Sequence, residues 1–372
     1  MWVVKWLVLC VFLIEVPTVS VGDLSLSRHL KRARRQNDEW HWGSGDANAA
    51  AVSTSTEGPN PCFSTDPPPA PNFTAPGRRV SQVKCFEYMW TIRVLTDEAK
   101  KNEDCAQMLL NIIGGRDAIL HEFPHMAALG WKPAVGDGWL FKCGGSLISN
   151  KFVLTAGHCS KASDRDSSLG ELVPRIVRLG QNNIDSLTTG QDVNILRIIN
   201  HPEYKPPRKY FDIALLELEH AISFTEYIQP ACLHVGLDNT LVGQKAMLTG
   251  WGVTDAVAFK TSPELQTVEV DVLDSRLCDR VYKRTCSRLW CNMTQNQLCA
   301  GTLTGGQDAC QGDSGGPLQI KFALPKNVQR QHNIYRIIGV TSFGIGCAIP
   351  NVPGIYTRVS SFLDWIEPIV WG

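Results

Sequence analysis

The sequence predicts an all-β fold that ends in a C-terminal helix. From residue 112 onward, apolar β-branched segments such as "SLISNKFVLTAG", "VNILRIINH" and "LQTVEVDVL" alternate with turn residues, which is typical of short strands. Gly (31) and Pro (21) are abundant, which favours turns over long amphipathic helices. In the last segment, Phe362, Trp365, Ile366 and Ile369 recur at helical spacing. Strands at this spacing predict an antiparallel barrel or sandwich.

Residues 1–22 have the pattern of a secretory signal peptide. Lys5 precedes an apolar run from Trp6 to Val16, and small residues lead to a cleavage point after Gly22. The apolar run is too short to span a bilayer comfortably. We therefore expect a secreted, extracellular protein that is not held in a membrane.

The charge balance and the cysteine count narrow the class of protein. Lys plus Arg and Asp plus Glu each number 36, so nothing in the composition indicates a nucleic-acid partner. Of thirteen cysteines, Cys10 lies in the signal peptide. The even number that remains indicates six disulfides in an oxidising compartment.

Residues 23–111 are expected to be a largely irregular propeptide. Much of this stretch is rich in small residues and proline, as linkers are. The basic run "KRARR" fits a furin-type processing site that ends at Arg35, and it equally fits a solvated charge cluster. N-glycosylation triplets begin at Asn72 and, further along the chain, at Asn292.

Three segments contain the residue types of a nucleophilic catalytic site. "TAGHC" contains His158, "DIALLELE" begins with Asp212, and "DACQGDSGGP" contains Ser314 in a glycine-rich bend. A neutral imidazole can take the proton of a serine hydroxyl, and a carboxylate can hold that imidazole in the useful tautomer. Each segment alone fits a structural role, but the three together indicate a catalytic triad.

These motifs, with "CGGSLIS", "GWG" and "PGIYTRV", resemble the trypsin/chymotrypsin family of serine proteases over residues 112–372. The resemblance implies two six-stranded antiparallel β-barrels, with the active site in the cleft between them. It implies a serine endopeptidase that needs no cofactor. It also implies an oxyanion hole made by the backbone N–H groups of Gly312 and Ser314. Gly157 stands where the family usually has Ala, and we expect no loss of activity from this change.

The resemblance further implies a primary pocket for a basic side chain. Asp308 matches the floor of that pocket, and Gly344 and Gly354 match its open walls. A carboxylate there pairs with Arg or Lys, and Ala309 lacks a hydroxyl that would help to bind Lys. Phe343 replaces the usual Trp in the cleft wall. We therefore expect cleavage of protein substrates at an exposed Arg.

A new N-terminus is expected at Ile112, in the stretch "MLLNIIGGRDA". In the family, the amino group of the corresponding Ile pairs with the Asp before the catalytic Ser, here Asp313, and this pair orders the pocket and the oxyanion loop. Asn111 occupies the position where Arg or Lys is usual. This implies an upstream activating protease that is not trypsin-like.

"EFPHMAALGW", "VSQVKCFEY" and "YTRVSSFLDWIEPIVW" are similar to arthropod clip-type proteases, which are zymogens of immune or developmental cascades. This resemblance implies a downstream zymogen as substrate and a serpin as inhibitor. A clip domain needs six cysteines, and only Cys62, Cys85 and Cys105 lie between the signal peptide and Ile112, so a clip module is degenerate or missing. A digestive or venom protease is the alternative. A non-catalytic binding homologue is disfavoured by the intact triad.

The family's disulfide pattern implies three bridges: Cys143–Cys159, Cys278–Cys299 and Cys310–Cys347. The additional Cys286 and Cys291 are expected to close a small local loop. Cys232 is expected to tether the propeptide through Cys85 or Cys105, and the sequence leaves both partners open.

A metal is not expected. Some relatives bind calcium through a Glu in the loop after the "RLG" strand, and Gln181 stands at that position here. A neutral amide is a poorer ligand for a hard cation than a carboxylate.

Overall fold

The computed structural model describes residues 69–109, 122–186, 188–236, 239–255, 260–303, 313–322, 334–345 and 350–372. The strands are β1 (Met126–Trp131), β2 (Leu140–Leu147), β3 (Phe152–Thr155), β4 (Ile176–Leu179), β5 (Gln191–Asn200), β6 (Ala214–Leu218), β7 (Cys232–Leu233), β8 (Lys245–Gly250), β9 (Val253–Asp255), β10 (Lys260–Thr261), β11 (Gln266–Leu273), β12 (Gln297–Gly301), β13 (Pro317–Lys321), β14 (Tyr335–Phe343) and β15 (Gly354–Arg358). The α-helices are α1 (Val80–Leu109), α2 (Ser275–Tyr282) and α3 (Leu363–Trp371).

The first six strands close into an antiparallel barrel. Their order is β1-β2-β3-β6-β5-β4, and β4 pairs again with β1, so the sheet has no free edge. Leu129, Leu147, Val153 and Leu216 point into its core and are fully buried. The apolar segments of the sequence therefore become barrel strands because closure hides both their backbones and one face of their side chains.

A second barrel has the order β13-β8-β11-β12-β15-β14 and closes through pairing of β13 with β14. Its core contains Leu248, Val270, Ile338 and Tyr356, all of them buried. The short strand β7 extends the sheet by pairing in parallel with β14. The prediction of two six-stranded antiparallel barrels is confirmed.

Helix α3 covers the first barrel at the C-terminal end of the chain. Phe362, just before the helix, and Ile366 are buried, while Trp365 and Ile369 are half-buried against the same core. The helix predicted from the spacing of these four residues is therefore confirmed. Across the described ranges, no helix is both long enough and apolar enough to cross a bilayer.

Helix α1 is not predicted by the sequence analysis. Its 30 residues lie within the stretch expected to be a largely irregular propeptide. One face, formed by Cys85, Phe86, Met89 and Ile92, is buried. Cys85 forms a disulfide with Cys232 of β7, which selects Cys85 from the two candidate partners.

A carboxylate of α3 caps the beginning of α1. Glu367 accepts hydrogen bonds from the backbone N–H (3.2 Å) and the hydroxyl (2.6 Å) of Ser81, and its two oxygens pair with Arg79 at 3.0 and 2.9 Å. At the C-terminal end of α3, the indole N–H of Trp371 donates to the hydroxyl of Tyr88 of α1 at 2.9 Å. The first N–H groups of a helix lack internal partners, so Glu367 supplies a cap from a distant part of the chain.

Three further disulfides lie within the described residues. Two are the implied Cys143–Cys159 and Cys278–Cys299, and the third, Cys286–Cys291, closes the expected small loop. Cys310, Cys347 and Cys62 lie outside the described residues, as does the side chain of Cys105.

Both candidate glycosylation sites are accessible. Asn72 is exposed, and the hydroxyl of Thr74 donates to its amide oxygen at 2.7 Å. Asn292 is also exposed, in a turn where its φ of 71° lies in the left-handed region. The signal peptide and the Arg35 processing site lie outside the described residues.

A buried histidine makes the stability of the fold depend on pH. His125 precedes β1 and contacts Phe123 and Tyr335, and only 2% of it is exposed. Burial lowers its pKa to about 4. Below the ordinary histidine pKa of about 6.5, His125 binds a proton in the unfolded chain but not in the native state. The free energy of unfolding therefore falls as the pH drops from about 6.5 to 4.

We expect His125→Gln to remove this component of acid sensitivity. Between pH 7 and pH 4 its free energy of unfolding should fall by about 3 kcal/mol less than that of the wild-type chain, because Gln binds no proton. Urea unfolding at a series of pH values measures the difference. Parallel stability curves for the two proteins would contradict a buried, neutral His125.

Candidate active site

The structure brings His158 and Asp212 into direct contact. The Nδ1 atom of His158 lies 2.8 Å from Oδ2 of Asp212, and the backbone N–H of His158 donates to Oδ1 at 2.8 Å. Asp212 is buried, whereas a third of the His158 side chain is exposed. With the carboxylate accepting at Nδ1, the network assigns the proton of the neutral ring to that nitrogen and leaves Nε2 unprotonated.

His158 is fixed by the elements on either side of it. It lies in a 3-10 turn, Gly157–Ser160, which is separated from the end of β3 by Ala156 alone. The disulfide Cys143–Cys159 bonds this turn to β2. A Cβ on Gly157 would approach the ring of Tyr204 to 2.8 Å, so the absence of the family's usual Ala matches the close packing of Tyr204 here.

The second barrel completes the surroundings of Asp212. The hydroxyl of Ser342 in β14 donates to Oδ2 of Asp212 at 2.5 Å, and the hydroxyl of Thr357 in β15 donates to its backbone carbonyl at 2.8 Å. Hydrogen bonds to a carboxylate stabilise the charge that burial disfavours. The aspartate is therefore held between the two barrels.

The backbone next to Asp212 is strained. Phe211 has a φ of 56°, which is rare for a bulky residue. Its ring stacks on His201 at 5.3 Å between centroids and meets the edge of Phe362 at 6.1 Å. The backbone N–H of His201 also donates to the carbonyl of Ile213 at 3.1 Å. This packing holds Phe211 in an otherwise unfavourable conformation and so fixes Asp212, which lies two residues before β6.

Ser314 lies in a bend that both barrels hold. Its carbonyl accepts from the N–H of Gly144 in β2 at 2.8 Å, while the N–H of Gly315 donates to Thr341 of β14 at 2.9 Å. Gly315 has a φ of 77°, and a Cβ there would collide with Thr155 and approach the Cys159 sulfur to 3.1 Å. The bend that contains Ser314 therefore packs against Thr155 and Cys159, which lie on either side of His158 in the sequence.

The carboxylate of Asp313 points into a small backbone recess. Its Oδ1 accepts from the N–H of Gly252 at 2.9 Å, and a Cβ on Gly252 would collide with it. Its expected partner Ile112 lies outside the described residues, together with Asn111.

The two members of the dyad shift each other's pKa. Burial disfavours the imidazolium, but the Asp212 carboxylate outweighs this effect and raises the pKa of His158. Burial would also favour neutral Asp212, yet His158 and Ser342 together lower its pKa. The cation of Lys209 acts in the opposite sense and offsets part of this rise in the pKa of His158.

The structure describes only part of the expected specificity pocket. Gly354 is buried in β15, and Gly344 follows directly after β14. The pocket floor residues, Asp308 and Ala309, and the oxyanion residue Gly312 lie outside the described residues.

The candidate calcium loop is organised by an amide. With its amide oriented to suit its neighbours, buried Gln181 accepts from the N–H groups of Thr188 (3.0 Å), Thr189 (3.0 Å) and Gly190 (2.7 Å) and donates to the carbonyl of Ser186 (3.1 Å). A carboxylate cannot make that donated bond, so the loop fits a glutamine better than a metal-binding Glu.

Within the described residues, one group of side chains has metal-ligating atoms within 4.8 Å of one another: Cys143, His158 and Cys159. Both sulfurs belong to the Cys143–Cys159 disulfide. Since a thiolate is the sulfur species that binds a metal, this group does not fit a metal centre.

Sequence reasoning missed the second-barrel contacts of Asp212. Ser342 and Thr357 lie 130 and 145 residues from it along the chain, inside strands whose alternation gives no sign of a special role. Lys209, three residues before Asp212, was also missed because its loop resembles any polar turn.

The paired charges give a measurable titration. We expect the imidazole of His158 to titrate above its ordinary pKa in the uncut chain. In Asp212→Asn its pKa should fall below the ordinary value, because burial and Lys209 then act without an opposing carboxylate. NMR titration of the ring resonances measures both values. An unchanged pKa in Asp212→Asn would contradict the coupling.

The comparisons with known proteins agree with this geometry. Residues 112–366 match the Trypsin family. The chain is 38% identical over 302 residues to serine protease snk of Drosophila melanogaster, covering 79% of this chain and 66% of that protein. It is 37% identical over 271 residues to serine protease Hayan of the same organism, covering 71% of this chain and 40% of that protein.

A third relative matches over most of its own length. Clotting factor G beta subunit of Tachypleus tridentatus is 35% identical over 289 residues, which cover 76% of this chain and 87% of that protein. The chain thus spans 66% and 40% of the lengths of the two Drosophila relatives, and most of the length of the clotting subunit. With two barrels, a His–Asp pair in the cleft and a family match over residues 112–366, the chain belongs to the trypsin family of serine proteases.

Proposed function

We propose that this chain is a secreted endopeptidase zymogen that cleaves after Arg, less readily after Lys, and activates a downstream zymogen in an extracellular cascade. The observation that carries the proposal is the buried Asp212 carboxylate bonded to both Nδ1 and the backbone N–H of His158. A buried carboxylate that fixes the tautomer and raises the pKa of a partly exposed imidazole is what a general base for a serine hydroxyl needs.

The proposed reaction uses three side chains. His158 takes the proton of the Ser314 hydroxyl as the oxygen attacks the carbonyl of the substrate, and it returns the proton to the leaving amine. Asp212 stabilises the imidazolium formed between these steps. The N–H groups of Gly312 and Ser314 stabilise the oxyanion, and removing one such donor typically costs about a hundred- to a thousandfold in rate.

The proposed preference for Arg rests on Asp308 and its neighbours. A carboxylate at the base of a slot bounded by Gly344 and Gly354 suits a long cation, and Ala309 leaves the fork of Arg a better partner than the compact ammonium of Lys. The partners are therefore proteins with an exposed Arg.

Activation is proposed to occur by cleavage between Asn111 and Ile112. The new amino group then pairs with Asp313, whose carboxylate already accepts from Gly252 in the recess beside the Ser314 bend. Because Asn111 is neutral, a protease with a carboxylate in its pocket gains nothing from it, so the activator has a different specificity. A serpin is the proposed inhibitor.

The cascade role is supported by the way α1 is attached. After cleavage, the segment that includes α1 remains bound through Cys85–Cys232 and through the pairing of Arg79 with Glu367. A digestive or venom enzyme has less need of a retained, structured propeptide. Domain boundaries at residues 1–22, 23–111 and 112–372 follow from the same scheme.

We expect Ser314→Ala to abolish hydrolysis without affecting folding. The activated variant should retain the unfolding midpoint of the wild type, because the bend is held by backbone bonds of Ser314 and Gly315 that do not use the hydroxyl. Hydrolysis of an arginyl ester and urea unfolding measure the two properties. Turnover beyond a trace in the purified variant would show that another residue is the nucleophile.

We expect Asn111→Arg to create a zymogen that trypsin activates. The wild-type chain should resist trypsin at this bond. The variant cut by trypsin and the wild type cut by its own activator both begin at Ile112, so the two enzymes should hydrolyse arginyl esters at equal rates. Both should hydrolyse arginyl esters faster than lysyl esters and far faster than phenylalanyl esters. N-terminal sequencing and ester kinetics test this. Efficient cleavage of the wild type by trypsin before Ile112 would remove the proposed gate.

A further inference from the structure

The backbone at Asp212 follows a tight and strained path. The N–H of Ile213 donates to the carbonyl of Phe211 at 2.8 Å, which closes a three-residue γ-turn with Asp212 at its centre. Phe211 itself has a φ of 56°. A bulky residue leaves that conformation unless its surroundings hold it there. A neighbouring group must therefore fix the residues on both sides of Asp212.

His201 contacts both of these flanking residues. Its ring lies almost parallel to the ring of Phe211, with an angle of 10° between the planes and 5.3 Å between the centroids. Its backbone N–H donates to the carbonyl of Ile213 at 3.1 Å. His201 directly follows β5, which pairs with β6, the strand that begins just after Asp212 and Ile213. One residue at the end of a neighbouring strand thus holds the chain before and after the aspartate.

The ring of His201 is itself fixed in place. Phe362 and Trp365 meet it at steep angles, each with 5.1 Å between the centroids. Its Nδ1 accepts from the backbone N–H of Glu203 at 3.3 Å, which assigns the proton of the neutral ring to Nε2. Burial lowers the pKa of His201, so the ring is neutral at neutral pH. A neutral ring with fixed neighbours presents one constant flat face to Phe211.

The turn that begins at His201 also reaches the other member of the pair. The carbonyl of His201 accepts from the N–H of Tyr204 at 2.9 Å. The ring of Tyr204 lies so close to Gly157 that a Cβ added to the glycine would approach it to 2.8 Å. Gly157 directly precedes His158. The turn therefore packs against the residue before His158 and against the residues on both sides of Asp212.

We infer that His201 is a positioning residue for Asp212, an inference that rests on the proposed roles of His158 and Asp212. It acts through the stack on Phe211, which keeps that residue from relaxing to a negative φ. Relaxation would turn the backbone at Asp212 and move its carboxylate relative to the imidazole. The contact that depends on this position is the 2.8 Å hydrogen bond between Oδ2 of Asp212 and Nδ1 of His158. A displacement of about 1 Å in a catalytic group costs about a hundredfold in rate.

The test compares two substitutions of His201 that differ in one property. His201→Phe keeps a flat ring that can stack on Phe211, whereas His201→Leu keeps a similar apolar volume without a flat face. Both are made in the Asn111→Arg zymogen, cut by trypsin and titrated for active sites, so that unfolded molecules are not counted. We expect His201→Leu to lower kcat for an arginyl ester about ten- to a hundredfold while KM changes less than about twofold. His201→Phe should lower kcat less than about threefold, because the stack remains.

The pKa of His158 provides a second measurement, in the uncut chain, where neither cleavage nor substrate is needed. Because the Asp212 carboxylate raises the pKa of His158, moving that carboxylate away lowers it. NMR titration should therefore give a lower pKa in His201→Leu than in the wild type, and the wild-type pKa in His201→Phe. A wild-type kcat or an unshifted His158 pKa in His201→Leu would overturn the inference, and so would equal losses in the two variants.

Removing the strain tests the route through Phe211. Glycine adopts a φ of 56° freely, so in Phe211→Gly no ring is needed to hold the turn. Adding His201→Leu to Phe211→Gly should then lower kcat less than about twofold, because the contact that it removes is already absent. Equal effects of His201→Leu in the two backgrounds would mean that it acts through something other than Phe211, which would contradict the inference.

His125→Leu is the matched control. It also replaces a histidine that contacts aromatic rings, those of Phe123 and Tyr335, and it should leave kcat and the pKa of His158 unchanged. A loss as large as that in His201→Leu would count against a specific role of His201. If the cut wild type hydrolyses no arginyl ester, the proposed function fails, and the titrations of His158 in the uncut chains still decide whether His201 positions Asp212.

Discussion

The buried carboxylate of Asp212 is the constraint on which the rest of the structure depends. A charge removed from water must be matched by hydrogen bonds, and here two of them come from His158 and one from Ser342. Since His158 belongs to the first barrel and Ser342 to the second, neither barrel alone satisfies the aspartate. Docking of the barrels therefore completes the hydrogen bonds of the His158–Asp212 pair.

The position of Ser314, the proposed nucleophile, depends on the same docking. Ser314 leads into β13 of the second barrel, yet its carbonyl is bonded to Gly144 of the first. Gly315 fits only because a backbone without a Cβ can lie against Thr155 and Cys159. The glycine-rich bend and the disulfide beside His158 thus act together. The absence of a side chain at Gly315 allows the bend to come close to Cys159, and the disulfide fixes the position of Cys159.

The sequence was informative where signals are local. Strand segments, the C-terminal helix and the His, Asp and Ser motifs each lie within a few consecutive residues, so periodicity and motif spacing identify them. The partners of Asp212 could not be identified in this way, because Ser342 and Thr357 reach it through strand pairing across more than a hundred residues. Helix α1 was missed for a related reason. Only about half of its residues are apolar, and the elements that cap and cover it, Glu367 of α3 and strand β7, lie far away along the chain, with Glu367 286 residues from Ser81.

Because Glu367 caps α1, the proposed activation cut would leave α1 bound to the protease domain. A cut before Ile112 would turn one chain into two, but the contacts between Arg79, Ser81 and Glu367 were made while the chain was continuous, when the entropy of bringing the partners together was already spent. The product of the proposed cut would be a heterodimer whose interface had folded as part of a single chain. The Cys85–Cys232 disulfide then adds a covalent link to an interface that already has polar and apolar contacts of its own. The N-terminal segment would then be a subunit of the proposed mature protease, and any protein that bound at α3 would also meet α1 beside it.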